Sequence, residues 1–390
     1  MITYHSQNMN KTTPVLIIGA GPAGLAVAGR LSKLNIPFEI VERTDKIAWS
    51  WHNHYDRLSL HTVKQFSALP HLPFPEDYPL YVPRLDLVKY YENYAEHFNI
   101  RPHFNTEVTS ITKNTQGEWV VSTEDGPTFQ AQQVVVATGV NRVPYQPKWR
   151  GEEDFKGTIT HSRHYKNPAP FKGGKVLIIG MGNTGAELAL DLSEHDVKTW
   201  ISVRSPLNVV PRDVNGRPVQ VTSKKLAKIP FGIGDWLGSM IRKFIIGDLS
   251  KYGIPMSKMH PAKQLRETGK TPVIDLGTVA HIKAGKIKIL PDIDGFYEEG
   301  VTTKDGKNHP FDHVIVCTGY RAKVEDFIEN ATPLLDKYQV PKAPVIEDAQ
   351  YQGMYFVGFD NYKLGGILGT IYNDSEVVAG RIKDTIKVEA

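Results

Sequence analysis

The chain has 390 residues, of which 41% are hydrophobic and 23% charged, a composition typical of a soluble globular protein with two or three domains. The formal net charge is only +4 and no long run of lysine and arginine occurs, which argues against nucleic-acid binding. The single cysteine, Cys317, excludes an intrachain disulfide, a redox dithiol pair and a cysteine-based metal site. The histidines are not spaced as a metal set, so we expect no metal.

The first part of the chain predicts a β-turn-α-β unit. An apolar strand at 14–18 leads through a glycine-rich turn into a helix at 23–34 and a second strand at 38–42. An irregular segment is expected at 49–83. Beyond it the pattern predicts a helix at 85–98 and strands at 107–112, 118–123 and 132–137. Prolines and glycines at 144–170 indicate a crossing between domains.

The opening pattern then recurs. A strand at 175–179, a glycine turn, a helix at 186–192 and a strand at 200–204 follow one another. Further strands end at Gly319 and Gly358, and a last helix is expected over 366–383. An internal repeat of strand, turn, helix and strand predicts an α/β fold with two Rossmann-like dinucleotide-binding domains and parallel sheets.

Each repeat carries a glycine motif between its strand and its helix. The first is Gly19-Ala-Gly21-Pro-Ala-Gly24 and the second is Gly180-Met-Gly182-Asn-Thr-Gly185. In such a motif the first glycine permits the tight turn, the second lets a pyrophosphate approach the backbone, and the third lets helix and strand pack closely. The helix N-terminus then offers N–H groups to the phosphates. A single match is weak, but two matches in the correct context predict two dinucleotide sites.

The residues that end the second strand of each unit differ. Glu42 ends it in the first unit, where a carboxylate can accept hydrogen bonds from a ribose diol. Arg204 and Ser205 end it in the second unit, where an arginine suits a 2′-phosphate that a carboxylate would repel. The sequence therefore predicts FAD at the first site and NADPH at the second. We expect a discontinuous FAD domain, 1–165 and 315–390, with an NADPH domain, 166–314, inserted into it.

The segment 224–250 is amphipathic and rich in large apolar side chains. A buried helix pair, a substrate lid and a partner surface all fit this pattern. No window is long and apolar enough to span a membrane, and no secretory signal pattern occurs, so we expect a cytoplasmic protein. The sequence leaves the oligomeric state open.

The stretch between the two glycine motifs carries a family fingerprint. Residues 155–165 match F-x-G-x-x-x-H-x-x-x-Y through Phe155, Gly157, His161 and Tyr165. This resembles the fingerprint of class B flavin-dependent monooxygenases. The resemblance to the YUCCA branch of flavin-containing monooxygenases extends to 55–61, 72–75, 271–277, 280–283 and 318–321. It covers about residues 14 to 383 of the chain.

The resemblance implies roles for individual residues. His61 and Thr62 would approach the flavin ring and the nicotinamide, and His61 replaces the asparagine of many amine-oxygenating relatives. His61 and His161 are the candidate catalytic residues, although His161 can equally fix the geometry of a domain linker. The remaining cofactor-binding residues that the resemblance and the motifs imply are Gly19, Gly21, Pro22, Ala23, Gly24, Glu42, Arg43, Ser50, Trp51, Val108, Gly139 and Gly366 for FAD, and Gly180, Gly182, Asn183, Thr184, Gly185, Arg204 and Ser205 for NADPH.

The implied activity is that of an NADPH- and FAD-dependent monooxygenase that acts through a C4a-peroxyflavin on O2 and a small organic substrate. Oxidative decarboxylation of indole-3-pyruvate to indole-3-acetate is the reaction of the YUCCA branch. Oxygenation of an amine, a sulfide or indole is the alternative within the family. An NADPH-flavin reductase that passes electrons to a partner, and a non-catalytic dinucleotide sensor, are the alternatives outside it.

Overall fold

The computed structural model describes residues 10–226, 245–360 and 366–386. The chain divides into two compact units. The first comprises 1–53, 64–143 and 320–390, and the second comprises 54–63 and 144–319. The expected boundaries at 165 and 315 differ from this division. The fingerprint stretch groups with the second unit because its strand pairs there with the strand His313–Val316. Most of the segment 224–250 lies outside the described residues.

The helices of the described ranges are α1 Pro22–Lys33, α2 Trp49–Asn53, α3 Arg84–His97, α4 Asn183–Glu194, α5 Val219–Leu226, α6 Pro261–Thr268, α7 Thr278–Lys283 and α8 Gly366–Thr385. The strands are β1 Lys11–Ile18, β2 Glu39–Val41, β3 Val108–Lys113, β4 Trp119–Thr123, β5 Phe129–Val136, β6 Val143–Pro144, β7 Thr158–His161, β8 Lys175–Ile179, β9 Lys198–Ser202, β10 Val209–Pro211, β11 Asp213–Val214, β12 Arg217–Pro218, β13 Val273–Asp275, β14 Ile287–Leu290, β15 Ile293–Tyr297, β16 Gly300–Thr303, β17 Asn308–Pro310, β18 His313–Val316, β19 Tyr320–Arg321 and β20 Met354–Phe356.

The first unit is built on a six-stranded sheet with the order β2-β1-β5-β4-β3, in which β20 also pairs with β5. The strands β2, β1, β5 and β20 are parallel, as the repeat predicts. The strands β3, β4 and β5 form antiparallel pairs, so the sheet of this unit is mixed and only its parallel part follows the expectation of parallel sheets. Short connections between β3, β4 and β5 allow hairpins and leave no room for crossover helices. The helix α1 packs against α3 and α8.

The second unit is built on a five-stranded sheet with the order β14-β9-β8-β18-β7, and every pair in it is parallel. Its central strands β8 and β18 are apolar and buried on both faces, which is typical of a parallel sheet covered on both sides. The helix α4 packs against β9 and α7. Within the described residues, no helix combines the length and the apolar character that crossing a membrane requires.

Candidate cofactor and active site

In the turn after β1, which we call the first cradle, the first and third motif glycines leave no room for a side chain, whereas the middle glycine does. Gly19 has φ +107°, and its N–H donates to the Val41 carbonyl at 2.8 Å. A Cβ added at Gly19 would lie 2.8 Å from the Ala137 carbonyl oxygen, and one at Gly24 would lie 1.9 Å from the Gly19 carbonyl oxygen. A Cβ at Gly21 would meet nothing within 4 Å. Thus Gly19 and Gly24 serve the packing of strand and helix, and Gly21 leaves space at the helix N-terminus.

The start of α1 is suited to an anion. Gly21, which has no side chain that could cap the helix, is the N-cap residue and has an extended backbone. Pro22 follows, and the first turn contains no acidic residue. The N–H groups of the first turn have no intrahelical acceptor, and the helix dipole adds partial positive charge there. A pyrophosphate fits this position.

Glu42 lies beside this cradle. Its Oε2 accepts the Ala20 N–H at 2.9 Å, and its Oε1 accepts the Thr44 N–H at 3.0 Å and the Thr44 hydroxyl at 2.8 Å. These bonds fix the carboxylate at the end of β2. A carboxylate has about four lone-pair positions, so it can still accept from a ribose diol.

A second observation in the first unit also fits a bound polar group. The hydroxyl of Thr138, which follows Ala137 of the cradle, is buried and has no hydrogen-bond partner among the described residues. Such orphaned groups are rare in native proteins and call for a ligand or an ordered water. The residues of this unit therefore fit a dinucleotide.

Other residues predicted to bind FAD are distributed around the first unit. Arg84 holds α2 by donating to the carbonyls of Trp51 at 3.3 Å and His52 at 2.8 Å. Pro22 and Ala23 form the first turn of α1, Arg43 and Ser50 are exposed, Val108 is buried at the start of β3, Gly139 has φ +76°, and Gly366 has φ +82° at the start of α8. His61 and Thr62 belong to the second unit.

The turn after β8, which we call the second cradle, makes the same contacts as the first. Gly180 has φ +102°, and its N–H donates to the Ser202 carbonyl at 3.1 Å. A Cβ at Gly180 would lie 2.8 Å from the Cys317 carbonyl oxygen, and one at Gly185 would lie 2.0 Å from the Gly180 carbonyl oxygen. A Cβ at Gly182 would meet nothing within 4 Å. The two cradles thus place Cys317 and Ala137 in matching positions.

The helix α4 begins as α1 does. Its N-cap residue Gly182 has no side chain that could cap it, and its first turn contains no acidic residue. The first turn contains Asn183 and Thr184. The Asn183 side chain is held by the Ile274 N–H, which donates to Oδ1 at 2.7 Å. This end of α4 therefore also fits a pyrophosphate.

A basic residue follows β9, and a second one reaches the same place from a distant loop. Arg204 is exposed, and Ser205 next to it accepts a hydrogen bond from Lys270 Nζ at 3.2 Å. Lys270 thus adds a second cation beside Arg204. Sequence reasoning missed Lys270, because it lies in a loop after α6 and no local pattern links it to β9. Two cations beside a hydroxyl suit a phosphate.

The fingerprint residues have internal partners. His161 Nδ1 accepts the Arg163 N–H at 3.2 Å, so its Nε2 carries the proton and faces the Gly319 carbonyl oxygen at 3.2 Å. Burial lowers the pKa of His161. Tyr165 donates its hydroxyl to Asp191 Oδ2 at 2.7 Å. Because both ring nitrogens of His161 are engaged within the second unit, this histidine has the surroundings of a structural residue.

His61 has one strong contact, with a residue that sequence reasoning missed. Its Nε2 lies 2.9 Å from Oε2 of Glu187, a buried carboxylate on α4, and the same oxygen accepts the Tyr55 hydroxyl at 2.8 Å. The available signal was an acidic residue within the apolar part of the helix that follows the second cradle. Among the described residues, no cluster of histidine, cysteine and carboxylate side chains could hold a metal ion.

Comparison with known proteins identifies the family. The model of the flavin-binding monooxygenase-like family matches residues 12–342. Indole-3-pyruvate monooxygenase YUCCA1 of Oryza sativa subsp. japonica is 37% identical over 359 residues, which are 91% of this chain and 88% of that protein. Probable indole-3-pyruvate monooxygenase YUCCA7 of Arabidopsis thaliana is 38% identical over 363 residues, 90% of this chain and 84% of that protein.

Solved structures show the same fold. A flavin-containing monooxygenase from Stenotrophomonas maltophilia has a TM-score of 0.73 at 20% identity, with 95% of this chain and 98% of that chain covered. An oxidized steroid monooxygenase bound to NADP has a TM-score of 0.73 at 18% identity, with 96% and 85% covered. The prediction of an α/β fold with two Rossmann-like units is confirmed.

Two glycine cradles on two such units define a flavoprotein that binds two dinucleotides. The chain belongs to the flavin-binding monooxygenase-like family and, within it, to the YUCCA-type monooxygenases. Its cofactors are FAD and NADPH. It is a flavin-dependent NADPH monooxygenase, so the prediction made from the fingerprint is confirmed.

Proposed function

We propose that this monooxygenase decarboxylates indole-3-pyruvate oxidatively to indole-3-acetate. The observation that carries the proposal is the similarity, at 37% and 38% identity over about nine-tenths of the chain, to enzymes named for that substrate. The reaction consumes one NADPH and one O2 for each 2-oxo acid and releases CO2, water and NADP⁺. When bound, FAD would supply the acceptance of hydride from NADPH and the activation of O2.

The first cradle is proposed to bind FAD. The space at Gly21 and the uncapped start of α1 suit the pyrophosphate, and the Glu42 carboxylate suits the adenosine ribose. A carboxylate at this position disfavours a 2′-phosphate, because two negative groups would face each other. FAD carries no such phosphate, so the first cradle suits FAD better than NADPH.

The second cradle is proposed to bind NADPH. The space at Gly182 suits its pyrophosphate, and Arg204 with Lys270 and Ser205 suits its 2′-phosphate. The N–H groups of α4 and the two cations orient the dinucleotide, which converts an encounter in solution into a fixed approach of the hydride donor. His61, on the segment 54–63 of the same unit, is proposed to contact the nicotinamide.

The test is turnover of indole-3-pyruvate by the purified FAD-loaded enzyme with NADPH, followed by NADPH absorbance and by mass spectrometry of the product. Catalase and an enzyme-free control are included, because hydrogen peroxide alone decarboxylates 2-oxo acids. Catalase-resistant indole-3-acetate in proportion to NADPH consumed is the expected result. NADPH oxidation without indole-3-acetate, together with oxygenation of an amine, a sulfide or indole, would overturn the proposed substrate.

A further inference from the structure

Two carboxylates are buried on the helix that begins at the second cradle. Glu187 and Asp191 lie one turn apart on α4, and their neighbours on this helix are apolar and buried. A buried charge without partners costs several kcal/mol, by the order of magnitude known for ion desolvation. The partners of each carboxylate therefore indicate why it is there.

Asp191 has the partners of a structural residue. Its Oδ2 accepts the Tyr165 hydroxyl at 2.7 Å, and its Oδ1 lies 3.3 Å from Arg57 Nη1. Arg57 also contacts Glu194 at 2.7 Å. These contacts fasten the segment 54–63 and the fingerprint stretch to α4.

Glu187 has a similar set of partners, but its histidine lies closer than His195 does to Asp191, whose Oδ1 is 3.6 Å from His195 Nδ1. Its Oε2 accepts the Tyr55 hydroxyl at 2.8 Å, and its Oε1 lies 4.0 Å from Arg57 Nε. Oε2 also lies 2.9 Å from His61 Nε2. Burial, together with the charge and hydrogen bond of Glu187, raises the pKa of Tyr55 well above its usual value, so the phenol stays protonated and donates.

The direction of these bonds fixes the imidazole of His61. An ionised carboxylate only accepts hydrogen bonds, so His61 donates to Glu187 through Nε2. The proton of a neutral imidazole is then on Nε2, and Nδ1 is left as the acceptor. The described residues provide no partner for Nδ1, and the His61 side chain is 17% exposed.

We infer that Glu187 is a positioning residue for the monooxygenase reaction: it holds His61 in one orientation and one tautomer, with Nδ1 as the acceptor available to NADPH, the cofactor of the same unit, and Tyr55 orients Glu187. The inference rests on the proposed function, which assigns His61 to the cofactor contacts. Glu187 lies two residues after Gly185, so a single helix both offers N–H groups to the NADPH pyrophosphate and sets the position of His61.

The variant Glu187→Gln tests this role against its matched control, Asp191→Asn. Both changes remove a buried charge from α4, and both leave a tyrosine and Arg57 beside it, but only the first touches His61. The assay is anaerobic stopped-flow reduction of the FAD-loaded enzyme by NADPH, which yields a limiting rate and an apparent NADPH Kd.

Glu187→Gln is expected to lower the limiting rate by about 10-fold or more, which is the effect of losing a partner that orients a reacting group. The NADPH Kd should stay within about threefold, because the lost interaction acts in the transition state. Asp191→Asn should lower the melting temperature and leave the rate within about threefold. A Glu187→Gln enzyme that is reduced at the rate of wild type, or a rate loss that Asp191→Asn shares, would overturn the inference.

The variant His61→Gln distinguishes the role of Nε2 of His61 from the role of Nδ1. The amide nitrogen of glutamine can replace Nε2 as the donor to Glu187, but nothing replaces Nδ1. The rate should fall as in Glu187→Gln, and the double variant should be no slower than either single variant, because both changes disable one unit. Losses that multiply in the double variant would overturn the inference.

A measurement on the wild-type protein covers the case in which Glu187→Gln does not fold. In ¹⁵N-histidine NMR spectra, with His61→Gln used for assignment, His61 should show a protonated Nε2 and an unprotonated Nδ1. A protonated Nδ1 beside an unprotonated Nε2 would overturn the inference. Wild-type enzyme that NADPH does not reduce would contradict the proposed function instead, and the NMR result would still decide the arrangement at Glu187.

Discussion

Replacing the second glycine of either cradle should leave folding intact but weaken cofactor binding. Gly182 has φ −89° and ψ −171°, values that alanine adopts readily, and a Cβ there meets nothing within 4 Å. Gly182→Ala should therefore stabilise the fold slightly, by about 0.4–1 kcal/mol, because alanine restricts the unfolded chain. The methyl group would, however, occupy the space proposed for the NADPH pyrophosphate.

The expected loss of NADPH affinity follows from the hydrogen bonds between the N–H groups of α4 and the pyrophosphate. A hydrogen bond to a charged group contributes about 1.5–3 kcal/mol, and about 1.4 kcal/mol corresponds to a tenfold change in Kd. If the methyl group pushes the pyrophosphate away from one N–H of α4, the NADPH Kd should rise about 10- to 100-fold. The FAD content should stay at the wild-type level.

Gly185→Ala is the control with the opposite result. Its Cβ would lie 2.0 Å from the Gly180 carbonyl oxygen, so α4 and β8 would have to separate. Overpacking of this kind costs about 1–3 kcal/mol, and a backbone clash falls at or above the upper end. Gly185→Ala should lower the melting temperature, whereas Gly182→Ala should not.

The assay combines thermal unfolding with titration of NADP⁺ into the FAD-loaded enzyme. The reasoning would be refuted by a folded Gly182→Ala enzyme that binds NADP⁺ with wild-type affinity. Loss of FAD with NADP⁺ binding retained would show that the two cofactors are assigned to the wrong cradles.

Three further predictions follow from the described contacts. Arg204→Ala and Lys270→Ala should each raise the KM for NADPH about 10-fold and leave the KM for NADH unchanged, because each removes a charged partner of the 2′-phosphate. Equal increases in KM for both dinucleotides in steady-state kinetics would contradict this. Burial raises the pKa of the Cys317 thiol to about 12, so little thiolate is present at pH 8, and iodoacetamide should label the folded enzyme much more slowly than the denatured one. Cys317→Ala should remain active, since Ala137 holds the matching position. Labelling of the folded enzyme at the rate of the denatured one would contradict the first expectation. Burial lowers the pKa of His161, so below about pH 6.5 the unfolded chain binds this proton more tightly than the folded one, and stability should decrease as the pH decreases. His161→Asn should therefore flatten the slope of the unfolding free energy between about pH 6.5 and 5. An unchanged slope in urea titrations would exclude this role.

The parts of the fold that local chemistry dictates could be predicted from the sequence. A glycine turn between an apolar strand and a helix needs only neighbouring residues, so both cradles were found together with their helices. The short helix Trp49–Asn53 lies in the segment 49–83 that the sequence predicts as irregular, because five residues are too few to show a helical period. The sequence predicts β3, β4 and β5 as strands but not their antiparallel pairing, because strand direction is decided by pairing and not by strand composition.

The parts of the site that depend on distant partners could not be predicted. In the sequence Glu187 is only a charge within an apolar helix, because its partners Tyr55 and His61 are brought to it by the fold. Lys270 lies beside Ser205 only because the loop after α6 returns to the end of β9. The cofactor roles of the predicted residues remain predictions that the glycine, arginine and histidine variants test.

The most direct test of the central claim is the origin of the oxygen in the product. The FAD-loaded enzyme is given NADPH, indole-3-pyruvate and ¹⁸O2 in the presence of catalase, and the carboxylate of indole-3-acetate is examined by mass spectrometry. A monooxygenase that acts on this 2-oxo acid should place one ¹⁸O atom in each indole-3-acetate and consume one NADPH for it. Consumption of NADPH with no labelled indole-3-acetate would contradict the account.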